Sequence, residues 1–268
     1  MALQCVMWRQ RLRYIAATVI LLNGCNANAG RAAIFGPDDR VYVTAVPGSP
    51  FSPIGVVQKG AITGRYGTGT LVGTCDVLTS QHIFSTGASP IGGRVKFTAG
   101  IGTREEASSR GTVIVAGGRE KYPLPNQEYQ AVAHDWMLVR LDRCLGAIFG
   151  HANLRTWARG EDDFSHVQSL GYPMDRDRVQ GATLDPSCKI RGIYTLVWFN
   201  DCATMQGSSG GPLFRLSPSE ESPRMEIFAI QTAGFGKGIN ASFWLGNANQ
   251  ATPVSMILPY IQRYLSRR

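Results

Sequence analysis

The sequence has no apolar run long enough to cross a bilayer, no Cys-x-x-Cys pair, no Lys/Arg-rich block and no internal repeat. Each absence removes a class of function. A spanning helix needs about 20 apolar residues, and the run Tyr14 to Leu22 falls short of that, so no integral membrane span is expected. Without close cysteine pairs there is no zinc or redox motif, and neither a metal nor an organic cofactor is implied. The formal charge of +8 drops to +5 once Arg9, Arg11 and Arg13 are set aside. The remaining basic residues are scattered, with no aromatic ladder between them, which argues against nucleic-acid binding.

What is present belongs to a globular β protein. The 268 residues are 44% hydrophobic, enough to bury a sizeable core. The 31 glycines and 14 prolines punctuate stretches rich in Val, Ile and Thr, the composition of short strands and many turns. Residues 1–29 stand apart: three arginines, the apolar run and the small residues Ala27-Asn28-Ala29 form a signal-peptide pattern. The expected product, 30–268, is exported, either secreted or periplasmic, and monomeric. Leu22-Asn23-Gly24-Cys25 also resembles a bacterial lipoprotein cleavage site, with Asn where a small or β-branched residue is usual, so lipidation at Cys25 is the alternative. Export permits disulfides among Cys75, Cys144, Cys188 and Cys202, for which three pairings exist. A Cys188–Cys202 bridge would close a short loop worth about 3 kcal/mol, and Cys75 with Cys144 would then be the second.

Strand-like runs follow from residue 41: Val41–Val46, Thr70–Val72, Val77–Thr79, Val95–Thr98, Thr112–Ala116 and Trp136–Leu141. A polar stretch over 143–166 leads to a second series at Val167–Leu170, Ile190–Phe199, Pro212–Leu216 and Ile227–Thr232. Helical periodicity is expected only at the end, where Val254, Ile257, Leu258, Ile261 and Leu265 share a face, with Pro259 early in the helix or kinking it. The order implies two β modules, about 41–142 and about 167–250, closed by a helix over 252–266. Ser217 to Pro223 reads as a solvated hairpin tip.

Three segments carry chemistry. Gly207-Ser208-Ser209-Gly210-Gly211-Pro212 sets a serine in a glycine-bracketed turn before an apolar strand. The glycines let the N–H groups of Gly207 and Ser209 converge as an oxyanion hole requires. A serine hydroxyl needs a base. His82 follows the run Val77-Leu78-Thr79, where a strand end can project it into a cleft, whereas His134, His151 and His166 lie in other surroundings. Asp135 opens Trp136-Met137-Leu138-Val139, and an acid at the margin of a buried strand must find a partner.

Gly69-Thr70-Leu71-Val72-Gly73 with Val77 to His82, Asp135 to Leu141, and Gly207 to Pro212 resemble the three signatures of trypsin-like serine proteases, in the order His, Asp, Ser. Asp135-Trp136, Gly171-Tyr172-Pro173, Asp201-Cys202 and Asp39-Arg40 are similar to the bacterial glutamyl-endopeptidase branch. The resemblance implies an all-β fold of two antiparallel six-stranded barrels with a site between them. It also implies hydrolysis of protein or peptide substrates through an acyl-enzyme. Ser209 would attack, His82 would relay the proton, Asp135 would fix its tautomer, and the Gly207 and Ser209 N–H groups would hold the oxyanion. Trimming near Ala33 would match the start of that branch.

The departures concern specificity and activation. Ser208 stands where trypsin-like zymogens carry the Asp that captures a new N-terminus. Ala203 replaces the acid that binds Arg or Lys, so cleavage after basic residues is disfavoured. Thr204 matches the glutamyl-endopeptidase pattern, but Gln231 stands at the histidine position. Gln donates hydrogen bonds without charge, which leaves a weakened preference for acidic residues. Gln231, Thr232, Ala233 and Gly234 would form the wall on which substrate backbone pairs as an added strand. The alternative function is a catalytically silent relative that binds peptides in the cleft. A quality-control protease with a downstream peptide-binding module is disfavoured because only 59 residues follow Ser209.

Overall fold

The computed structural model describes residues 33–60, 66–85, 87–122, 127–158, 163, 165–194, 196–218, 223–234 and 238–265. The signal-peptide pattern over 1–29, Cys25 and part of the Ser217–Pro223 tip lie outside them. Strands β1 (Ala33–Phe35) and β2 (Val41–Val43) come first. Six strands then close an antiparallel barrel in the order β3-β4-β5-β8-β7-β6: β3 (Ile54–Lys59), β4 (Tyr66–Leu71), β5 (Asp76–Thr79), β6 (Arg94–Ala99), β7 (Ala107–Ala116) and β8 (Met137–Leu141). Helix α1 (Glu128–Ala133) precedes β8, and α2 (Gly146–Phe149) follows it.

The remaining strands are β9 (Asn153–Leu154), β10 (Val167–Gly171), β11 (Ala182–Cys188), β12 (Ile190–Tyr194), β13 (Val197–Asn200), β14 (Pro212–Leu216), β15 (Met225–Gly234), β16 (Gly238–Ala241) and β17 (Asn249–Pro253). Hydrogen bonds run β12-β13-β17-β15-β14-β10-β11. Only Lys189 separates β11 from β12. Taken as one bent strand, they return the path to its start, since β10 pairs with both β11 and β14. This is the second six-stranded barrel. Its bend is braced on both sides: Cys188 is disulfide-bonded to Cys202, and the Lys189 N–H donates to Asp201 Oδ1 at 2.7 Å. The other disulfide joins Cys75 to Cys144 in the first half.

Strand periodicity explains how the halves meet. Along β8, Met137, Val139 and Leu141 fill the first barrel with Val57, Val77, Phe97 and Val113. Trp136 and Leu138 face the other way, into a core shared with Leu170, Tyr172, Phe214 and Ile230 of the second half. Both faces of the strand are buried, which is why it reads as a continuous apolar run. Helix α3 (Val254–Leu265) lays Val254, Ile257 and Ile261 on that same core, with Pro259 on its exposed side.

Several expectations need correction. The Ile190–Phe199 run is a hairpin of two strands, and Val41–Val43 pairs with β11 rather than with its sequence neighbours. The 143–166 stretch carries α2 and β9. Among the described residues no helix is long and apolar enough to cross a membrane.

Candidate active site

The first barrel delivers two of the sequence-predicted residues. β5 ends at Thr79, and a short 3-10 helix, Gln81–Ile83, turns the chain and projects His82 with its side chain 24% exposed. Asp135 sits at the turn between α1 and β8, fully buried. Its Oδ1 accepts the His82 backbone N–H at 2.8 Å, and its Oδ2 lies 2.7 Å from His82 Nδ1. The second barrel delivers Ser209, whose Oγ is 3.0 Å from His82 Nε2.

Burial of Asp135 raises the cost of its charge. The charge and hydrogen bond of His82, and then the charge of Arg119, outweigh that cost and hold its carboxyl below the ordinary carboxylate range. The other histidines are elsewhere. His134 stacks on Tyr122 at 4.6 Å with Nδ1 at 3.0 Å from the Gly117 carbonyl, and burial pushes it down. His151 and His166 are exposed.

The Gly207–Gly211 turn is fixed by its carbonyls. In a trans peptide the C=O and N–H of one unit point opposite ways. The Gln206 carbonyl accepts the Met174 N–H at 2.6 Å, and the Ser208 carbonyl accepts the Gly211 N–H at 2.8 Å. The Gly207 and Ser209 N–H groups therefore point away from these anchors, and neither has an acceptor among the described residues. Gly207 has φ +99°, and a Cβ there would come within 2.5 Å of the Tyr172 carbonyl, so no other residue fits. Thr68 on β4 ties the turn to the first barrel: its N–H donates to the Ser209 carbonyl and its hydroxyl to the Gly207 carbonyl, both at 2.8 Å.

The remaining sequence-predicted residues lie behind this turn. Ala203 is buried with its N–H on Asp185 Oδ2 at 2.6 Å. Gln231 is buried, receives Asn200 Nδ2 on its Oε1 at 3.2 Å and donates from Nε2 to the Thr204 hydroxyl at 3.3 Å. Thr204 also donates its N–H to the Ala33 carbonyl at 3.2 Å. Thr232 donates to the Gln250 carbonyl. Ala233 and Gly234 pair with Gln250 and Asn249 on one edge of β15; on the other edge the β14 ladder has ended at the Pro212–Ile230 pair.

Sequence reasoning missed Thr68, Gln81, Arg119 and Met174. Thr68 lay one residue before a segment singled out, and Gln81 lay within another. Nothing in the sequence linked Arg119 to Asp135.

The architecture is that of the two-barrel, chymotrypsin-like proteases. The chain is similar to a Glu endopeptidase solved in complex with MPD, with 18% identity and a TM-score of 0.63 over 88% of this chain and 100% of that one. It is also similar to the protease Anisep from Arthrobacter nicotinovorans, with 14% identity and a TM-score of 0.58 over 82% of this chain and 96% of that one. No protein-family model and no curated protein matches the sequence.

Proposed function

We propose that the protein is an exported serine endopeptidase in which Ser209 is the nucleophile, His82 the general base and Asp135 its orienting carboxylate. The observation that carries this reading is the hydrogen-bonded line from Asp135 through His82 to Ser209, at 2.7 and 3.0 Å. His82 takes the Ser209 proton as the hydroxyl attacks the scissile carbonyl, then gives it to the leaving amine. The tautomer with a proton on Nδ1 is the one Asp135 selects. The unpaired N–H groups of Gly207 and Ser209 receive the oxyanion. Water repeats the sequence on the acyl-enzyme. The two disulfides support export.

Substrate backbone adds along the open edge of β15 from Thr232 to Gly234. Thr204 and Gln231 would offer the substrate side chain neutral polar groups, and Ala203 no charge, which gives a modest preference for an acidic side chain and none for a basic one. Thr204 and Gln231 are already hydrogen-bonded to each other.

Treating the mature protein with a fluorophosphonate and mapping the adduct tests this reading. A single adduct on Ser209, absent in Ser209→Ala, is expected. A wild-type protein that stays unlabelled under conditions that modify a known serine protease ends the hydrolase reading. Profiling against a peptide library tests the specificity; cleavage with no enrichment of acidic residues removes that part alone.

A further inference from the structure

We propose that Arg119 is a positioning residue for the Asp135–His82 pair, holding a fixed positive charge on the buried carboxylate so that the pair works at lower pH than it otherwise would. The inference rests on the triad reading above.

Arg119 is placed by construction. It follows Gly118, whose φ of +85° turns the chain at the end of β7 into a short 3-10 helix, Arg119–Lys121. The residue before His82 grips this turn: Gln81 Oε1 accepts the N–H groups of Gly118 and Arg119, each at 3.2 Å, and Gln81 Nε2 donates to Glu120 Oε2 at 2.6 Å. Thus the 3-10 helix that carries His82 also sets where Arg119 stands. The Arg119 side chain is 13% exposed, and its Nη1 donates to Asp135 Oδ2 at 3.0 Å and to the Ala131 carbonyl at 3.4 Å. Oδ2 therefore serves His82 and Arg119 together.

The electrostatic consequence follows from position. A buried carboxylate next to an imidazole favours the imidazolium, and a guanidinium on the same oxygen offsets part of that attraction. Loss of that guanidinium would therefore favour the imidazolium over the neutral ring that accepts the serine proton. Other groups do not duplicate this charge. Glu120 is turned onto Gln81, Lys121 lies beside His134, and His134 is committed to the Gly117 carbonyl. Glu128 is at the far end of α1. From the second barrel the hydroxyl of Thr252 reaches α1, where it is uncharged and bonded to the Val132 carbonyl.

The test follows the His82 ring resonances by NMR between pH 4 and 9, alongside the pH dependence of fluorophosphonate labelling. In Arg119→Gln the His82 midpoint and the acid limb of labelling should both rise by about one pH unit, while Arg119→Lys, which keeps a charge, should move them by less than half of that. An unmoved midpoint in Arg119→Gln, or equal movement in Gln and Lys variants, overturns the inference. Should circular dichroism show Arg119→Gln unfolded, Gln81→Ala, which releases the Arg119 turn, carries the test; an unmoved midpoint there overturns it equally. Labelling of wild-type Ser209 separates the two claims: a labelled enzyme whose Arg119 variants titrate unchanged loses only the role of Arg119, whereas an unlabelled wild type removes the triad itself.

Discussion

Asp185 shows how one side chain can set the response of the whole fold to pH. It is buried behind Ala203, and burial pushes its carboxyl up to about 6, helped by the charges of Asp39 and Asp201 and opposed by the N–H groups of Ala203 and Ser187. Its folded-state value thus lies above that of the unfolded chain, so the folded protein holds this proton more tightly. The stabilisation is complete below about pH 4 and is lost as the pH rises to about 6, by up to about 3 kcal/mol. Urea unfolding at pH 4, 5 and 6 should show this decline in the wild type and its absence in Asp185→Asn. Asp38 behaves oppositely: hydrogen bonds from Arg40 and Arg176 hold its carboxyl far below the ordinary range despite partial burial.

At the scale of elements, the seam between β11 and β12 is the place where the second barrel depends on covalent help. A strand bent at Lys189 loses ladder hydrogen bonds, and the Cys188–Cys202 bridge with Asp201 restores the geometry. Replacing both cysteines by Ala should lower the unfolding free energy by about 3 kcal/mol, measured by denaturant titration under oxidising conditions. This bend also shows what a sequence conceals. Pro212–Leu216 was legible to the residue because the glycine turn precedes it and Ser217-Pro218 follows it. Ile190–Phe199 looked like one strand because its turn, near Leu196, contains neither glycine nor proline. Helix α1 was missed because six residues give fewer than two turns of periodicity. At the site, His82, Asp135 and Ser209 each announce themselves through a flanking strand or turn. Arg119 does not, since its approach to Asp135 is a product of loop closure through Gln81.

Across the whole molecule, the candidate site is shared: His82 and Asp135 come from the first half, Ser209 and its turn from the second. Packing of Trp136, Leu138, Tyr172, Phe214 and α3 brings them together. Thr68 alone makes two hydrogen bonds across the gap to the Gly207–Ser209 turn. Both disulfides, by contrast, close within one half. The bridges staple each barrel to itself and leave the joint between them to packing and hydrogen bonds, so the halves are expected to part before either melts. Rising urea should therefore abolish Ser209 labelling at a lower concentration than it erases the β-sheet circular dichroism signal; coincident transitions would show instead that barrels and joint fail as one unit. On that ordering the site would be lost well short of unfolding, with two intact barrels slightly parted, His82 on one shore and Ser209 on the other.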